Sequence, residues 1–198
     1  MRLNLKTTLA AGLTALLFAG AAHAQTATAT APACGGDLDA FLQGVKAEAQ
    51  TLGVSAEVAD RALAGAALDP KVLSRDRAQG VFRQTFLEFS KRTVSQARLD
   101  IGRKKLKDLS DVFARAEQEF GVPGPVIAAF WAMETDFGAV QGDFNTRNAL
   151  VTLSHDCRRP ELFRKQLLAA IEMVGHGDLD PNGTTGAWAG EIGQVQML

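Results

Sequence analysis

The chain has 198 residues, of which 46% are hydrophobic and 22% charged, and its formal net charge is −1 at pH 7. This length is enough to bury the core of a single domain. The near-neutral charge provides no electrostatic basis for binding nucleic acid, so we expect no nucleic-acid partner.

The first 24 residues have the three parts of a secretory signal peptide. Arg2 and Lys6 form a short basic region, an apolar stretch runs from Leu9 to Ala22, and Ala22-His23-Ala24 is a small-x-small cleavage site. The apolar stretch is shorter than the roughly 20 residues that a membrane-spanning helix needs. We therefore expect cleavage after Ala24 and an exported chain without stable membrane insertion.

Cys34 and Cys157 are the two cysteines of the chain. Export would place them in an oxidising compartment, where proteins rarely keep free thiols. We therefore expect a disulfide between them, which would join the start of the mature chain to a loop far along the sequence. The alternative is two separate buried thiols.

Residues 25–35 are rich in alanine and threonine and have little to bury, so we expect a disordered linker there. Helical patterns begin directly afterwards, and the folded domain is predicted to span residues 36–198. No stretch alternates between apolar and polar residues as a strand would, so the predicted fold class is all-α. Helices are predicted at 37–52, 55–64, a short segment from 69, 94–120, 123–134, 146–154 and 160–174, with irregular chain expected within 80–92.

One glutamate interrupts the most apolar of these helices. Pro123 and Pro125 indicate its start, and the residues from Val126 to Met133 are apolar without a break before Glu134. Such a run is typical of a helix covered on most sides. Glu134 is then expected to be half desolvated at the mouth of a cleft, where burial favours the protonated form that a proton donor needs. The alternative is a helix-end glutamate that faces water or pairs with an arginine.

A glycosidase interpretation of Glu134 requires a search for a second carboxylate. Asp136 lies two positions further, about 200° around a helix, so both side chains cannot face one cleft while the helix continues. Asp143 could approach from the following loop. If it does, a two-carboxylate hydrolase is indicated; if it does not, Glu134 must act alone and the substrate must supply the nucleophile.

The sequence predicts no metal site and no cofactor. His155 and His176 are isolated, without the spacing of a metal-binding pair. Asp178 to Gly183 matches the first half of a calcium-binding loop, but Ala189 occupies the twelfth position, where that loop needs a bidentate acid. We interpret the segment as a polar turn.

Three ordered motifs resemble those of the membrane-type B lytic murein transglycosylases. They are WAMETDFG at 131–138, RRPELF at 158–163 and GAWAGEIGQVQ at 186–196, and segments 60–65 and 74–79 also resemble the helical N-terminal part of that family. Members of the family cleave peptidoglycan in the periplasm and have a lysozyme-like helical fold. The resemblance therefore implies a lysozyme-like helical domain with an N-terminal helical extension, and peptidoglycan glycan strands as partner.

The resemblance also implies roles for single residues. Glu134 matches the catalytic acid, which protonates the β-1,4 bond between N-acetylmuramic acid and N-acetylglucosamine and then acts as base while a 1,6-anhydro ring closes. Arg158 and Arg159 match a basic pair that contacts substrate carboxylates. Gln196 matches a sugar-binding residue. Trp188 is interpreted either as part of the cleft wall or as a core aromatic.

The given sequence stops at Leu198, inside the third motif, whereas the family continues through further helices. We therefore expect an incomplete member of the family. Two functions follow from the sequence. One is a periplasmic lytic transglycosylase, or the N-terminal part of one, and the other is a non-catalytic peptidoglycan-binding protein. A hydrolytic muramidase that uses Asp143 is a third alternative.

Overall fold

The structure is a computed structural model and describes residues 34–78 and 83–196. These ranges contain two strands, which pair antiparallel, and nine helices. In chain order the elements are α1 (Leu38–Thr51), α2 (Ala56–Leu63), α3 (Pro70–Arg77), α4 (Phe86–Thr93), α5 (Gln96–Asp108), α6 (Ser110–Phe120), α7 (Gly124–Thr135), β1 (Phe144–Asn145), α8 (Thr146–His155), α9 (Pro160–His176) and β2 (Thr185–Gly186).

The all-α prediction is confirmed, since each strand has only two residues. The longest described helix, α9, has 17 residues, and none of the helices in the described ranges is long and apolar enough to span a membrane. The predicted signal peptide and residues 25–33 of the predicted linker lie outside the described residues. So do residues 80–82 of the stretch that was expected to be irregular.

Side-chain caps start the first helices at the predicted places. Asp37 Oδ1 accepts a hydrogen bond from the Ala40 N–H at 2.8 Å, and Ser55 Oγ accepts one from the Val58 N–H at 3.2 Å. These oxygens satisfy N–H groups that have no partner within the first helical turn. The short polar residues that precede each apolar stripe therefore determine where α1 and α2 begin.

Helix α8 lies at the centre of the main hydrophobic core. It packs along α9 and against α3, while α1 and α2 pack on α9. None of the core residues comes from α5, α6 or α7. The buried apolar side chains of this core are Phe41, Leu42, Val45, Ala49, Ala59, Ala62, Leu63, Val72, Ala149, Leu150, Val151, Leu153, Phe163, Leu167, Ala170, Ile171, Val174, Leu179 and Ala189.

Two buried hydroxyl groups on α8, those of Thr152 and Ser154, donate hydrogen bonds within the helix. Thr152 Oγ1 donates to Asn148 O at 2.6 Å, and Ser154 Oγ donates to Leu150 O at 2.6 Å. A buried hydroxyl without a partner would destabilise the fold by about 1–3 kcal/mol. These local bonds explain how a helix with several polar residues can occupy the centre of the core.

Helices α5, α6 and α7 form a second group, in which α7 packs on both α5 and α6. The sequence pattern predicts one helix over 94–120, and that prediction is wrong, because the chain breaks at Leu109 between α5 and α6. The break lets both helices reach α7 at Gly124. A Cβ there would lie 3.0 Å from Phe113 Cβ and 3.4 Å from Leu106 Cδ2.

One side of α7 is exposed, which contradicts the prediction of a helix covered on most sides. Phe130 and Met133 are 60% and 54% exposed. Helices α5 and α6 cover the side that carries the buried Ala128 and Ala132, and nothing in the described part of the chain covers the other side. Glu134 is four residues after Phe130, so it shares the exposed side.

The predicted disulfide between Cys34 and Cys157 is present and bridges a sequence separation of 123 residues. It attaches the chain before α1 to the loop between α8 and α9. The Gly35 N–H also donates to His155 O at 2.7 Å. Cys34 and Gly35, the last two residues of the predicted linker, are therefore held against the end of α8.

Candidate functional site

The turn that follows Glu134 has an unusual backbone. Asp136, Phe137 and Gly138 have φ angles of 49°, 60° and 86°. Non-glycine residues rarely adopt this left-handed region, and each one held there costs about 1–3 kcal/mol. Contacts with the surrounding structure must therefore stabilise the turn, and strain of this kind is concentrated at functional sites.

Contacts with α5 hold this turn in place. Arg98 Nε donates to Asp136 Oδ1 at 2.7 Å, and Arg98 Nη2 lies 2.6 Å from the same oxygen. The Phe137 ring is buried and packs edge-on against Trp131, with ring centroids 5.4 Å apart. Gly102 leaves room for that ring, since a Cβ at this position would lie 3.3 Å from Phe137 Cζ.

Glu134 itself is exposed at the end of α7, so the prediction that it is half desolvated is wrong. The physical reason is that it lies on the uncovered side of α7, next to the exposed Met133. Asp136 is bound to Arg98 and does not supply a second carboxylate beside Glu134. Asp143 is exposed in the loop before β1.

The loop that follows β2 runs close to the end of α7. Gly142, at φ 92°, approaches the end of β2 so closely that a Cβ would lie 2.1 Å from Gly186 O and 2.6 Å from Ala187 N. Gln196, itself at φ 52°, donates from Nε2 to Gly193 O at 2.8 Å and to Gln141 O at 3.3 Å. The loop that carries the predicted sugar-binding glutamine is therefore bonded to the segment that follows α7.

Thr135 and Gln194 make contacts that the sequence analysis missed. Thr135 is buried, and its Oγ1 donates to Gln194 O at 2.6 Å and accepts from the Gly138 N–H at 2.9 Å. Trp131 Nε1 donates to Gln194 Oε1 at 2.8 Å. The available sequence signals were a hydroxyl residue directly after the candidate acid and a second glutamine two positions before Gln196.

A groove of about 490 Å³ lies between the loop that follows β2 and the first half of α9. Its lining includes Arg159, Trp188 and Gln196, three residues chosen from the sequence, together with Gln166. Trp188 is half-buried and packs against the main core as well as lining the groove. An aromatic side chain, two amides and a guanidinium group suit a sugar that carries a carboxylate, although the carboxylate of Glu191 also lines the groove. Glu134 does not line this groove.

Both candidate arginines bind Asp76, a buried carboxylate of α3. Arg158 donates from Nε and Nη2 to the two carboxylate oxygens at 2.5 Å, and Arg159 Nη2 donates to one of them at 2.5 Å. The hydrogen bonds from Arg158 lower the pKa of Asp76 most, although burial acts in the opposite direction. The buried Arg159 Nε–H has no hydrogen-bond partner among the described residues. Arg159 lines the groove and Arg158 does not, so Arg159 is the better placed of the two to bind a further anion.

The calcium-like segment Asp178–Gly183 forms a polar turn. Asp180 Oδ1 accepts from the Asn182 N–H at 3.0 Å, and the Asp180 N–H donates to Thr184 Oγ1 at 3.0 Å. Asn182 Oδ1 accepts from Arg147 Nη1 at 3.1 Å. Asp180 Oδ1 and Asn182 Oδ1, two oxygens that a bound cation would need, thus accept hydrogen bonds within the protein. Over residues 34–78 and 83–196, no group of three or more His, Cys, Asp or Glu side chains could hold a metal ion.

Comparison with known proteins identifies relatives that act on murein. The family model described as "Transglycosylase SLT domain" matches residues 37–198. A curated relative is the membrane-bound lytic murein transglycosylase B of Escherichia coli strain K12. It is 30% identical over 114 residues, which cover 57% of this chain and 32% of the relative.

Two solved structures share the fold. SltB3 from Pseudomonas aeruginosa, in complex with NAG-NAM-pentapeptide, superposes with a TM-score of 0.73 at 29% identity, over 83% of this chain and 44% of that one. The Escherichia coli lytic transglycosylase Slt35, in complex with bulgecin A, superposes with a TM-score of 0.71 at 26% identity, over 84% and 55%. The chain spans roughly a third to a half of the length of these relatives. Because the family model covers most of the sequence, the chain belongs to the transglycosylase SLT domain family.

Proposed function

We propose that this chain forms the catalytic part of an exported peptidoglycan lytic transglycosylase that acts in the periplasm. Family membership supports this function, and the related SltB3 structure is a complex with NAG-NAM-pentapeptide. The observation that carries the proposal is the 2.6 Å hydrogen bond from Thr135 Oγ1 to Gln194 O. This bond attaches the residue next to Glu134 to the loop that lines the groove.

Glu134 acts first as acid and then as base. Its carboxyl group protonates the glycosidic oxygen between N-acetylmuramic acid and N-acetylglucosamine, and the bond from the muramyl C1 to that oxygen breaks. The Glu134 carboxylate then takes the proton of the muramyl 6-hydroxyl while O6 bonds to C1. The products are a free 4-hydroxyl and a 1,6-anhydromuramic acid end. Neither water nor a second carboxylate takes part, which agrees with the binding of Asp136 to Arg98.

The groove residues bind the glycan and its carboxylates. Gln196 offers an amide to sugar hydroxyls, and Trp188 offers an aromatic face. Arg159, which lines the groove, is the primary contact for a lactyl or stem-peptide carboxylate. Arg158 binds Asp76 with two of its N–H groups and supports the loop between α8 and α9.

Binding of peptidoglycan without turnover is the second candidate function. The exposure of Glu134 and its absence from the groove lining favour this alternative, because a general acid works best in a site that excludes water. Hydrolysis with Asp143 as the second carboxylate is the third candidate. Asp143 lies in an exposed loop where it is accessible to substrate.

Release of soluble fragments from purified peptidoglycan tests the proposal. We expect Glu134→Gln to slow release by roughly 10²–10⁴-fold, because the amide can neither donate nor take the proton. Asp143→Asn serves as the matched control and should leave the rate unchanged. A chain that pellets with peptidoglycan but releases nothing would contradict catalysis, whereas a loss of release in Asp143→Asn would indicate hydrolysis.

A further inference from the structure

The two helical groups of the fold meet beside Glu134. Helix α7 packs on α5 and α6, whereas the loop after β2 belongs to the group around α8. Trp188 of this loop packs against the main core, and a Cβ on Gly190 would lie 2.5 Å from Leu150 Cδ2. The loop is thus fixed to one group while the candidate acid belongs to the other.

Gln194 connects the two groups through its side chain and its backbone. Gln194 Oε1 accepts from Trp131 Nε1 at 2.8 Å, and Gln194 O accepts from Thr135 Oγ1 at 2.6 Å. Both donors belong to the last two turns of α7. Gly138 makes room for the contact, because a Cβ there would lie 2.5 Å from Gln194 Oε1.

Trp131 has contacts on three sides, which makes its indole a fixed donor. Lys105 Nζ of α5 lies 5.0 Å from the centroid of its ring, and Phe137 of the strained turn packs against its edge. With the ring held by both neighbours, the direction of the Nε1–H is set by α5 and by the turn. Gln194 therefore receives its hydrogen bond from a rigid partner.

We propose that Gln194 is a positioning residue, which fixes the loop that carries Gln196 relative to the end of α7 that carries Glu134. This inference rests on the proposed function. Gln194 does not touch the reacting atoms. It acts through the hydrogen bonds with Trp131 and Thr135, which hold the sugar-binding loop and the candidate acid in one arrangement.

The first test measures kcat and the half-saturating peptidoglycan concentration. Gln194→Met keeps the length of the side chain but removes the acceptor, and we expect kcat to fall between about 10-fold and 100-fold, since small misplacements of reacting groups have effects of this size. The half-saturating concentration should change much less. Gln118→Met, on the exposed face of α6, is the matched control and should keep the wild-type kcat.

A pair of variants at Thr135 tests the backbone contact. Thr135→Val removes the hydroxyl group at nearly constant volume, while Thr135→Ser keeps it. We expect kcat to fall in Thr135→Val and to stay near the wild-type value in Thr135→Ser. A double-mutant cycle of Trp131→Phe with Gln194→Met should show a loss in kcat close to that of the more damaging single variant, because both changes remove the same hydrogen bond.

Tryptophan fluorescence tests the contact independently of activity. The chain has two tryptophans, Trp131 and Trp188, so Trp188→Phe leaves Trp131 as the only emitter. In that background, Gln194→Met should shift the emission of Trp131, and Gln118→Met should not. This measurement remains informative if the wild-type chain releases no fragments, in which case the proposed function fails separately.

Unchanged Trp131 emission in Gln194→Met would overturn the contact itself. A shifted emission with unchanged kcat, or a kcat loss that follows the unfolded fraction, would show a structural contact only and overturn the positioning role. If the wild-type chain binds peptidoglycan without turnover, the proposed function fails, and the positioning role of Gln194, which rests on it, fails with it. A shifted Trp131 emission in Gln194→Met would then establish the contact alone.

Discussion

Asp76 is buried on α3, with 2% of its surface exposed, and it binds both Arg158 and Arg159. Three guanidinium N–H groups at 2.5 Å stabilise its charged form, which explains why its pKa lies below the ordinary value of 3.8. A buried carboxylate of this kind orients cationic side chains that would otherwise be mobile. Asp76 thus sets the position of the candidate substrate contact Arg159.

Asp76→Asn should lower the free energy of unfolding by about 1–3 kcal/mol at neutral pH, because charged hydrogen bonds are lost in a buried position. The effect depends on pH. Since the folded-state pKa is depressed, the stabilisation is complete above the unfolded-state value of 3.8 and is lost as the pH falls through the lower folded-state value. Urea unfolding at pH 7 and pH 3 should therefore show a smaller difference between wild type and variant at pH 3.

Asp100→Asn is the matched control for this prediction. Asp100 pairs with Arg103 at 2.8 Å, but both side chains are exposed. Exposed ion pairs contribute little to stability, so its unfolding midpoint should stay close to that of the wild type at both pH values. An equal difference between wild type and Asp76→Asn at pH 7 and pH 3 would contradict the role assigned to the Asp76 carboxylate.

Among the helices, α7 is more exposed than its apolar sequence suggests, and α8 is more buried than its polar residues suggest. Helix α7 carries an unbroken apolar run, yet Phe130 and Met133 are mostly exposed. Helix α8 carries Thr152 and Ser154, yet both are buried. Hydropathy cannot predict this difference, because the hydroxyl groups bond to carbonyls of their own helix and no described element covers the outer side of α7. Most helix boundaries were predictable, since capping residues and prolines act locally, but the break at Leu109 between α5 and α6 was not.

Arg147 at the start of α8 is another buried polar group that local patterns did not reveal. Its guanidinium group donates to Ala64 O at 2.5 Å, to Gly65 O at 3.1 Å and to Asn182 Oδ1 at 3.1 Å. Burial lowers the pKa of Arg147, an effect partly offset by the charge of Asp180. One side chain thus joins α8 to the segment after α2 and to the turn after α9.

Arg147→Met should destabilise the fold by about 1–3 kcal/mol, because it leaves the partly buried hydrogen bonds to Ala64 O and Gly65 O unmade. The free energy of unfolding of Arg147→Lys should lie between those of Arg147→Met and the wild type, since lysine keeps the charge but lacks the planar guanidinium group. Arg103→Met, at an exposed position of α5, is the control. Chemical unfolding of the three variants measures the effect, and a midpoint for Arg147→Met equal to that of the control would contradict it.

At the scale of the whole molecule, the disulfide joins the beginning of the described chain to the loop that carries the arginine pair. Cys157 directly precedes Arg158, so the Cys34–Cys157 bond restrains the same loop that Asp76 holds. Closing a loop of 123 residues reduces the conformational entropy of the unfolded chain. Its removal should therefore affect stability more than the folded geometry of the groove.

The double variant Cys34→Ser/Cys157→Ser should lose about 2–4 kcal/mol of unfolding free energy. Reductant should lower the unfolding midpoint of the wild type to a similar value and leave the double variant unchanged. Equal unfolding midpoints for the double variant and for the reduced wild type would show that the loss of stability comes from the disulfide. A wild-type midpoint that does not respond to reductant would contradict a stabilising role for this bond.

Much of the candidate site could be predicted from sequence, because its motifs are contiguous. The motif pattern identified Glu134, Arg159, Trp188 and Gln196, and the structure places the last three in one groove. Tertiary contacts could not be predicted in the same way. The partner of the arginines, Asp76, lies more than 80 positions before them in the chain.

The same limit applies to Gln194 and Thr135, whose pairing depends on how two helical groups meet. Neither residue stands out by charge or hydropathy, and 59 positions separate them. Only the packing of the loop after β2 against the end of α7 brings them together. The positioning role proposed for Gln194 therefore depends on the folded structure, and it must be tested with the intact chain.

In the proposed reaction the glycan supplies the nucleophile, and Glu134 is the only protein group that takes part in the chemistry. Digestion of purified peptidoglycan in water enriched in oxygen-18, followed by mass spectrometry of the products, tests this mechanism. We predict fragments that lack one water relative to hydrolysis products, carry no oxygen-18 and disappear in Glu134→Gln. Reducing-end fragments that contain oxygen-18 would contradict it.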